Sequence, residues 1–190
     1  MSARLHGLTP DLTRAVSAVA RALDDGRLDA ATAGMAPLLA SQPDHPEVQR
    51  LHAGILGMQG RHQEAIALMR AALANQPDDP VYLNTLATLL GQAGEFDGAI
   101  DVLRTACRLQ PDMALAWYNL GVMLTRSVRN DEAEAALHRA VELDPQATDA
   151  RALRADMLRM RGQPAEAAAE YRRVLAERAW AGMAWWGLAD

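Results

Sequence analysis

The sequence contains no lysine: all 19 basic residues are arginine, set against 24 acidic ones for a formal net charge of -5. A source with GC-rich codons explains both the missing lysine and the abundant alanine. The guanidinium that remains is a planar fork able to hold a carboxylate in two bonds, which an ammonium cannot do. The acidic balance excludes nucleic acid as the main partner, because binding to phosphates leaves a basic footprint. A single cysteine, Cys107, excludes an internal disulfide. No apolar run reaches the roughly 18 residues needed to cross a bilayer, and the opening Met1 to His6 carries none of signal-peptide length. The expectation is a cytoplasmic protein with no membrane partner. Aromatic residues make up only 4% of a chain that is half apolar, which suits alanine and leucine helices packed through small side chains.

Catalytic patterns are also missing. The sequence has no glycine-rich phosphate loop, no HExxH, no paired cysteines and no G-x-S-x-G, and Asp25-Gly26 lacks the ordered acids of a calcium loop. We therefore expect no catalytic residue, no cofactor and no metal. His52 and His62 stand ten residues apart across a turn, with no carboxylate or cysteine partner evident, and read as structural. Acids such as Glu95, Asp97 and Asp101 read as solvated helix faces.

What is present is a period. Pro43, Pro77, Pro111 and Pro145 are spaced 34 residues apart. Twelve residues before each stands an alanine, at Ala31, Ala65, Ala99 and Ala133, and Ala167 continues the series. Seventeen before come Gly26, Gly60, Gly94 and Gly162, with Val128 the exception. One helical hairpin cannot bury its own apolar face, but stacked copies can. Glycine ends the first helix in a left-handed cap, alanine lets two helices approach closely, and proline stops the second helix. A second proline often opens the next, as in Asp44-His45-Pro46 and Asp78-Asp79-Pro80.

The best copy runs from Ala114 to Ala147. Its Trp117, Leu120, Gly121, Leu124, Ala133, Leu137, Ala140 and Pro145 resemble the signature of the tetratricopeptide repeat, with Leu124 and Leu137 where an aromatic is more usual. The resemblance implies an all-α fold, a right-handed α-solenoid of stacked antiparallel helix pairs. It covers residues 12–181 as units 12–45, 46–79, 80–113, 114–147 and 148–181, after a lead-in at 1–11. Residues 182–190 begin a sixth first helix, which is either a cap or a truncation point.

Along the chain, Leu5 and Leu8 can pack on the first helix, and Thr9-Pro10-Asp11 is a strong helix start. Pro37 inside the second helix predicts a kink or irregularity near residues 33 to 37, since an interior proline removes a hydrogen bond and costs about 3 kcal/mol. Leu83, Leu86, Ala87 and Leu90, then Ala99, Ile100, Leu103 and Ala106, form helical stripes. Cys107 lies beside the second stripe and reads as a packed thiol. Asn130 or Asp131 is the expected cap of the eighth helix. Arg151 and Arg154 stand where the unit before has Trp117 and Leu120.

In the family resembled, the first helix of each unit lines a concave groove for an extended peptide or a helix. This implies a protein or peptide partner held by Arg50, Asn84, Thr88, Gln92, Tyr118, Asn119, Arg126 and Arg159, with Glu47, Asp149 and Asp156 among them. Asparagine offers a donor and an acceptor to a ligand backbone, and arginine engages carboxylates. The lysine and asparagine clamp of the family's chaperone-docking members is not expected, since lysine is absent. The final Ala184-Trp185-Trp186-Gly187-Leu188-Ala189 is similar to the junction of bacterial proteins in which such an array precedes a sulfotransferase domain. That resemblance implies an alternative role, as a recognition or positioning arm of a larger enzyme. A third reading is a homodimer formed through the apolar end at Trp180, Trp185, Trp186 and Leu188.

Overall fold

The computed structural model describes residues 5–177. Among the described residues ten helices follow one another: α1 (Pro10–Asp24), α2 (Leu28–Ser41), α3 (Pro46–Met58), α4 (His62–Asn75), α5 (Pro80–Gln92), α6 (Phe96–Leu109), α7 (Ala114–Arg126), α8 (Asn130–Leu143), α9 (Thr148–Met160) and α10 (Pro164–Glu177). There is no strand among the described residues. The chain divides into two compact units, one ending at Val102 and the other beginning at Leu103.

The helix boundaries follow the punctuation in the sequence. Thr9 caps α1 by accepting a hydrogen bond from the Leu12 amide, Pro10 sits in the first turn and Asp11 faces the positive end of the helix. Pro46 and Pro80 open α3 and α5 in the same way, the latter capped by Asp79, which accepts from the amides of Val81 and Tyr82. His45 caps α3 through Nδ1, which accepts from the Glu47 amide, while its Nε2 lies 3.1 Å from the His6 carbonyl. One detail differs from expectation. Arg129, which makes no side-chain cap bond, precedes α8, and Asn130 is already helical. Helix α2 runs unbroken through Pro37. Ala33 and Pro37 both lie on its exposed face, where water can serve the carbonyl that proline leaves without a donor.

Each first helix ends in the same bond, from an amide to the carbonyl five residues earlier: Arg27 to Ala22, Arg61 to Leu56, Glu95 to Leu90, Arg129 to Leu124 and Gln163 to Leu158. This closure requires a left-handed residue just before the donor. Gly26, Gly60, Gly94 and Gly162 supply it with φ between 69° and 83°, and Val128 is forced into it at φ 59°. A β-branched residue there is strained by about 1–2 kcal/mol. Val128 is 77% exposed, so no packing compensates. Val128→Gly is therefore expected to stabilise the protein by about 1 kcal/mol, after allowing for the greater freedom of glycine in the unfolded chain. A thermal melt should shift up by about 2–4 °C, and a lower midpoint would contradict the account.

In the first unit, Val16 and Val19 of α1, Met35 and Leu38 of α2, and Val48, Leu51 and Ile55 of α3 form one buried cluster, against which Leu5 and Leu8 pack. The period alanines Ala31, Ala65, Ala99, Ala133 and Ala167 are all buried at 0–1% exposure, as the close approach of paired helices demands. In the second unit, Ala155, Leu158, Ala167, Tyr171 and Val174 join α9 to α10. Cys107 is buried, and burial pushes its thiol up to about 11. It is a packed side chain with no thiolate character at neutral pH.

Candidate functional site

The residues expected on the ligand-facing side all fall on first helices, and their surroundings differ between the two units. In the first unit, Arg50 of α3 is held by Glu47, with Nε and Nη2 2.6–3.0 Å from the carboxylate oxygens. Both side chains are largely buried, at 19% and 8% exposure. Burial lowers the Arg50 guanidinium, but the hydrogen bond and charge of Glu47 outweigh this and raise it. Tyr82 of α5 is buried nearby. Burial, then the charge of Glu47, holds its hydroxyl well above the usual phenol range. The Arg50 fork is thus already filled by a carboxylate of its own helix, an i, i+3 pair visible in the sequence. On α5, Asn84 is buried, Thr88 donates its hydroxyl to the Asn84 carbonyl at 3.0 Å, and Gln92 is exposed.

In the second unit, α7 carries Tyr118 and Asn119 half-buried and Arg126 exposed, and α9 carries Arg159 exposed. Arg126 makes no ion pair or hydrogen bond among the described residues. Tyr118 lines a recess of about 220 Å³ whose other walls include Leu115, Thr148 and Asp149. Burial, and then the charge of Asp149, raises its hydroxyl. Leu115 is 54% exposed and was not among the expected residues. The signal was its apolar character three residues before Tyr118, on the same face of a helix whose buried stripe is complete without it. Asp156 accepts the Tyr171 hydroxyl at 2.5 Å, and Tyr171 is pushed up to about 12 by burial and by that carboxylate.

No group of three or more histidine, cysteine or acidic side chains that could hold a metal ion is gathered among the described residues. His52 is lowered by burial and by the charge of Arg61, which fits a neutral packed imidazole. No described helix is long and apolar enough to cross a membrane. Trp180, Trp185, Trp186 and Leu188, on which the junction and dimer readings rest, lie outside the described residues, as does the segment 182–190.

The tetratricopeptide repeat model matches residues 10–80, 84–148 and 127–184, and a second model of that repeat matches residues 56–106. The chain belongs to the tetratricopeptide repeat family. Solved structures agree on the fold. A thermophilic repeat protein of Thermus thermophilus, TTC0263, superposes with a TM-score of 0.80 at 21% identity, over 93% of this chain and 96% of that one. MamA from Desulfovibrio magneticus gives 0.69 at 18%, over 93% and 99%. YrrB, described as a repeat protein with an unusual peptide-binding site, gives 0.66 at 16%, over 93% and 91%. No curated protein matches the chain. The family's members are in general non-catalytic interaction modules, and this tetratricopeptide repeat chain has the architecture of a protein-interaction scaffold.

Proposed function

We propose that this tetratricopeptide repeat protein binds a peptide or helical segment of a partner protein on its first helices, with α7 and α9 as the main contact in the second unit. The observation that carries this reading is the recess beside Tyr118, which sets an exposed leucine, a half-buried tyrosine hydroxyl and the Asp149 carboxylate side by side. Tyrosine and arginine dominate binding energy at interfaces because they combine apolar area with directional polar groups. Tyr118 and Arg126 have those roles here. In this reading Asn119 holds ligand backbone and Arg159 extends the polar rim on α9, while the buried Asn84 is left out of the contact. The filled fork of Arg50 makes it a positioning residue for α3 rather than a free carboxylate grip.

The test is affinity capture from the source lysate followed by titration of the captured segment. Tyr118→Ala and Arg126→Glu are each expected to weaken it about tenfold or more, equivalent to 1.4 kcal/mol. Unchanged affinity in both variants would remove the reading.

A further inference from the structure

The second unit also holds an open cavity of about 760 Å³, on the face of α7 that carries Trp117, Leu120 and Leu124 and away from Tyr118. Its side walls are second helices: Cys107 and Arg108 of α6, and Ala136 and Arg139 of α8. The repeat register explains why it is open. At the position of Ala136, units two, three and five carry Leu68, Val102 and Glu170. In unit one, Gly34 stands there, but Val19 comes within 2.8 Å of where its side chain would begin. In unit five the wall residues themselves change, and Arg151 and Arg154 close on Glu170. Among the described residues, the fourth unit combines an apolar floor with a small side chain at this position.

The chemistry of the cavity is mixed in a specific way. The indole N–H of Trp117 donates to the Pro111 carbonyl at 3.0 Å, so the one polar atom of that ring is satisfied and the remainder is apolar surface. Around the rim, Arg104 pairs with Glu132 at 2.5 Å and Arg139 with Glu142 at 3.2 Å, with the exposed His138 beside Glu142. The third arginine, Arg108, is exposed and makes no ion pair or hydrogen bond among the described residues. Three arginines against two glutamates leave the rim with a positive excess over an apolar floor, and the volume lies within the roughly 300–1,000 Å³ of binding pockets.

We propose that this cavity docks a partner-protein segment that presents one bulky apolar side chain with an aspartate or glutamate beside it. The apolar side chain lies against Trp117 and Leu120, in the space that Val102 and Leu68 fill in other units. The neighbouring carboxylate pairs with the Arg108 fork, an interaction lysine could not make in two bonds. This second-helix site is separate from the first-helix surface on which the preceding reading rests.

The test uses the full chain and fluorescein-labelled peptides followed by anisotropy. One set carries a single Leu, Phe or Trp among aspartates, glutamates and serines, and a matched set has every acid replaced by arginine. Members of the acidic set are expected to bind, and the arginine set is not. Arg108→Glu, a surface change, and Ala136→Val, which introduces the residue of unit three, are each expected to weaken binding about tenfold or more. Arg126→Glu, on the first-helix face, is expected to leave it unchanged, so failure here is distinguishable from failure of the groove reading. The proposal is overturned if no acidic peptide binds up to about 1 mM, if the arginine set binds equally, or if either Arg108→Glu or Ala136→Val leaves affinity intact.

Discussion

Glu170→Ala is expected to destabilise the protein by about 3–5 kcal/mol, the cost of stranding buried charge. Glu170 of α10 is 7% exposed and carries three guanidiniums: Arg151 Nη1 at 2.8 Å, Arg154 Nη1 at 3.1 Å and Arg173 Nη1 at 3.2 Å. Arg151, itself 5% exposed, also donates Nη2 to the Pro145 carbonyl at 2.5 Å. With Glu170 gone, two largely buried cations on α9 face each other without that anion, and among the described residues the Pro145 carbonyl remains to serve Arg151. Urea denaturation measures the loss. Because repeat arrays unfold in parts, hydrogen exchange should place it in α9 and α10. A loss below about 1 kcal/mol would show that the cluster is solvated like an ordinary surface pair.

The same cluster yields a second result from that experiment. Arg151→Leu, Arg154→Leu and Glu170→Val together restore the apolar set of the third unit, Leu83, Leu86 and Val102. Replacing a buried ion cluster by well-packed apolar residues is commonly neutral or stabilising by about 1–4 kcal/mol. The triple variant should thus be at least as stable as the natural protein, although it too removes the Glu170 carboxylate. The contrast separates the cost of breaking the cluster from the net value of having it.

This cluster also marks how far the sequence could be read. Helix order and the cap at Thr9 follow from rules about one or two neighbouring residues, and each was legible, whereas Val128 showed only as the exception to the glycine series. Arg151 and Arg154 were visible as intruders in apolar positions. Their partner was not recognised, although Glu170 occupies the register of Ala136, because the match requires knowing which second-helix position faces which first-helix position. The Arg50 and Glu47 pair needed only a spacing of three, but a groove expectation drawn from the family treated both residues as free for a ligand. The cavity beside Ala136 depends on a side chain being smaller than its counterparts, and composition and periodicity do not register missing volume. Pro37 differs again: its cost depends on whether water reaches the Ala33 carbonyl, which requires knowing the exposed face of α2.

The helix pair that bounds the cavity provides the second large effect. Leu137→Ala is expected to cost about 2–5 kcal/mol, since Leu137 of α8 is wholly buried and its removal leaves space that backbone cannot close. Gly121→Ala is expected to cost about 1–3 kcal/mol for the opposite reason, overpacking. An added Cβ on α7 would stand 2.6 Å from Leu137 Cγ and 2.7 Å from its Cδ2, with the Ala133 carbonyl of the same helix α8 at 3.4 Å. Combined, the changes should not add. Once Leu137 is shortened, the atoms that a Cβ at 121 would strike are gone, and alanine's advantage over glycine inside a helix, about 0.5–1 kcal/mol, is recovered. The double variant should therefore be no less stable than Leu137→Ala alone, an interaction energy of about 1–3 kcal/mol in a double-mutant cycle followed by urea denaturation. Additivity within about 0.5 kcal/mol would mean that α7 and α8 move apart to accept the methyl group. In that case Ala136 would shift with its helix, and Gly121→Ala would alter the cavity between α6 and α8 without touching a residue that lines it.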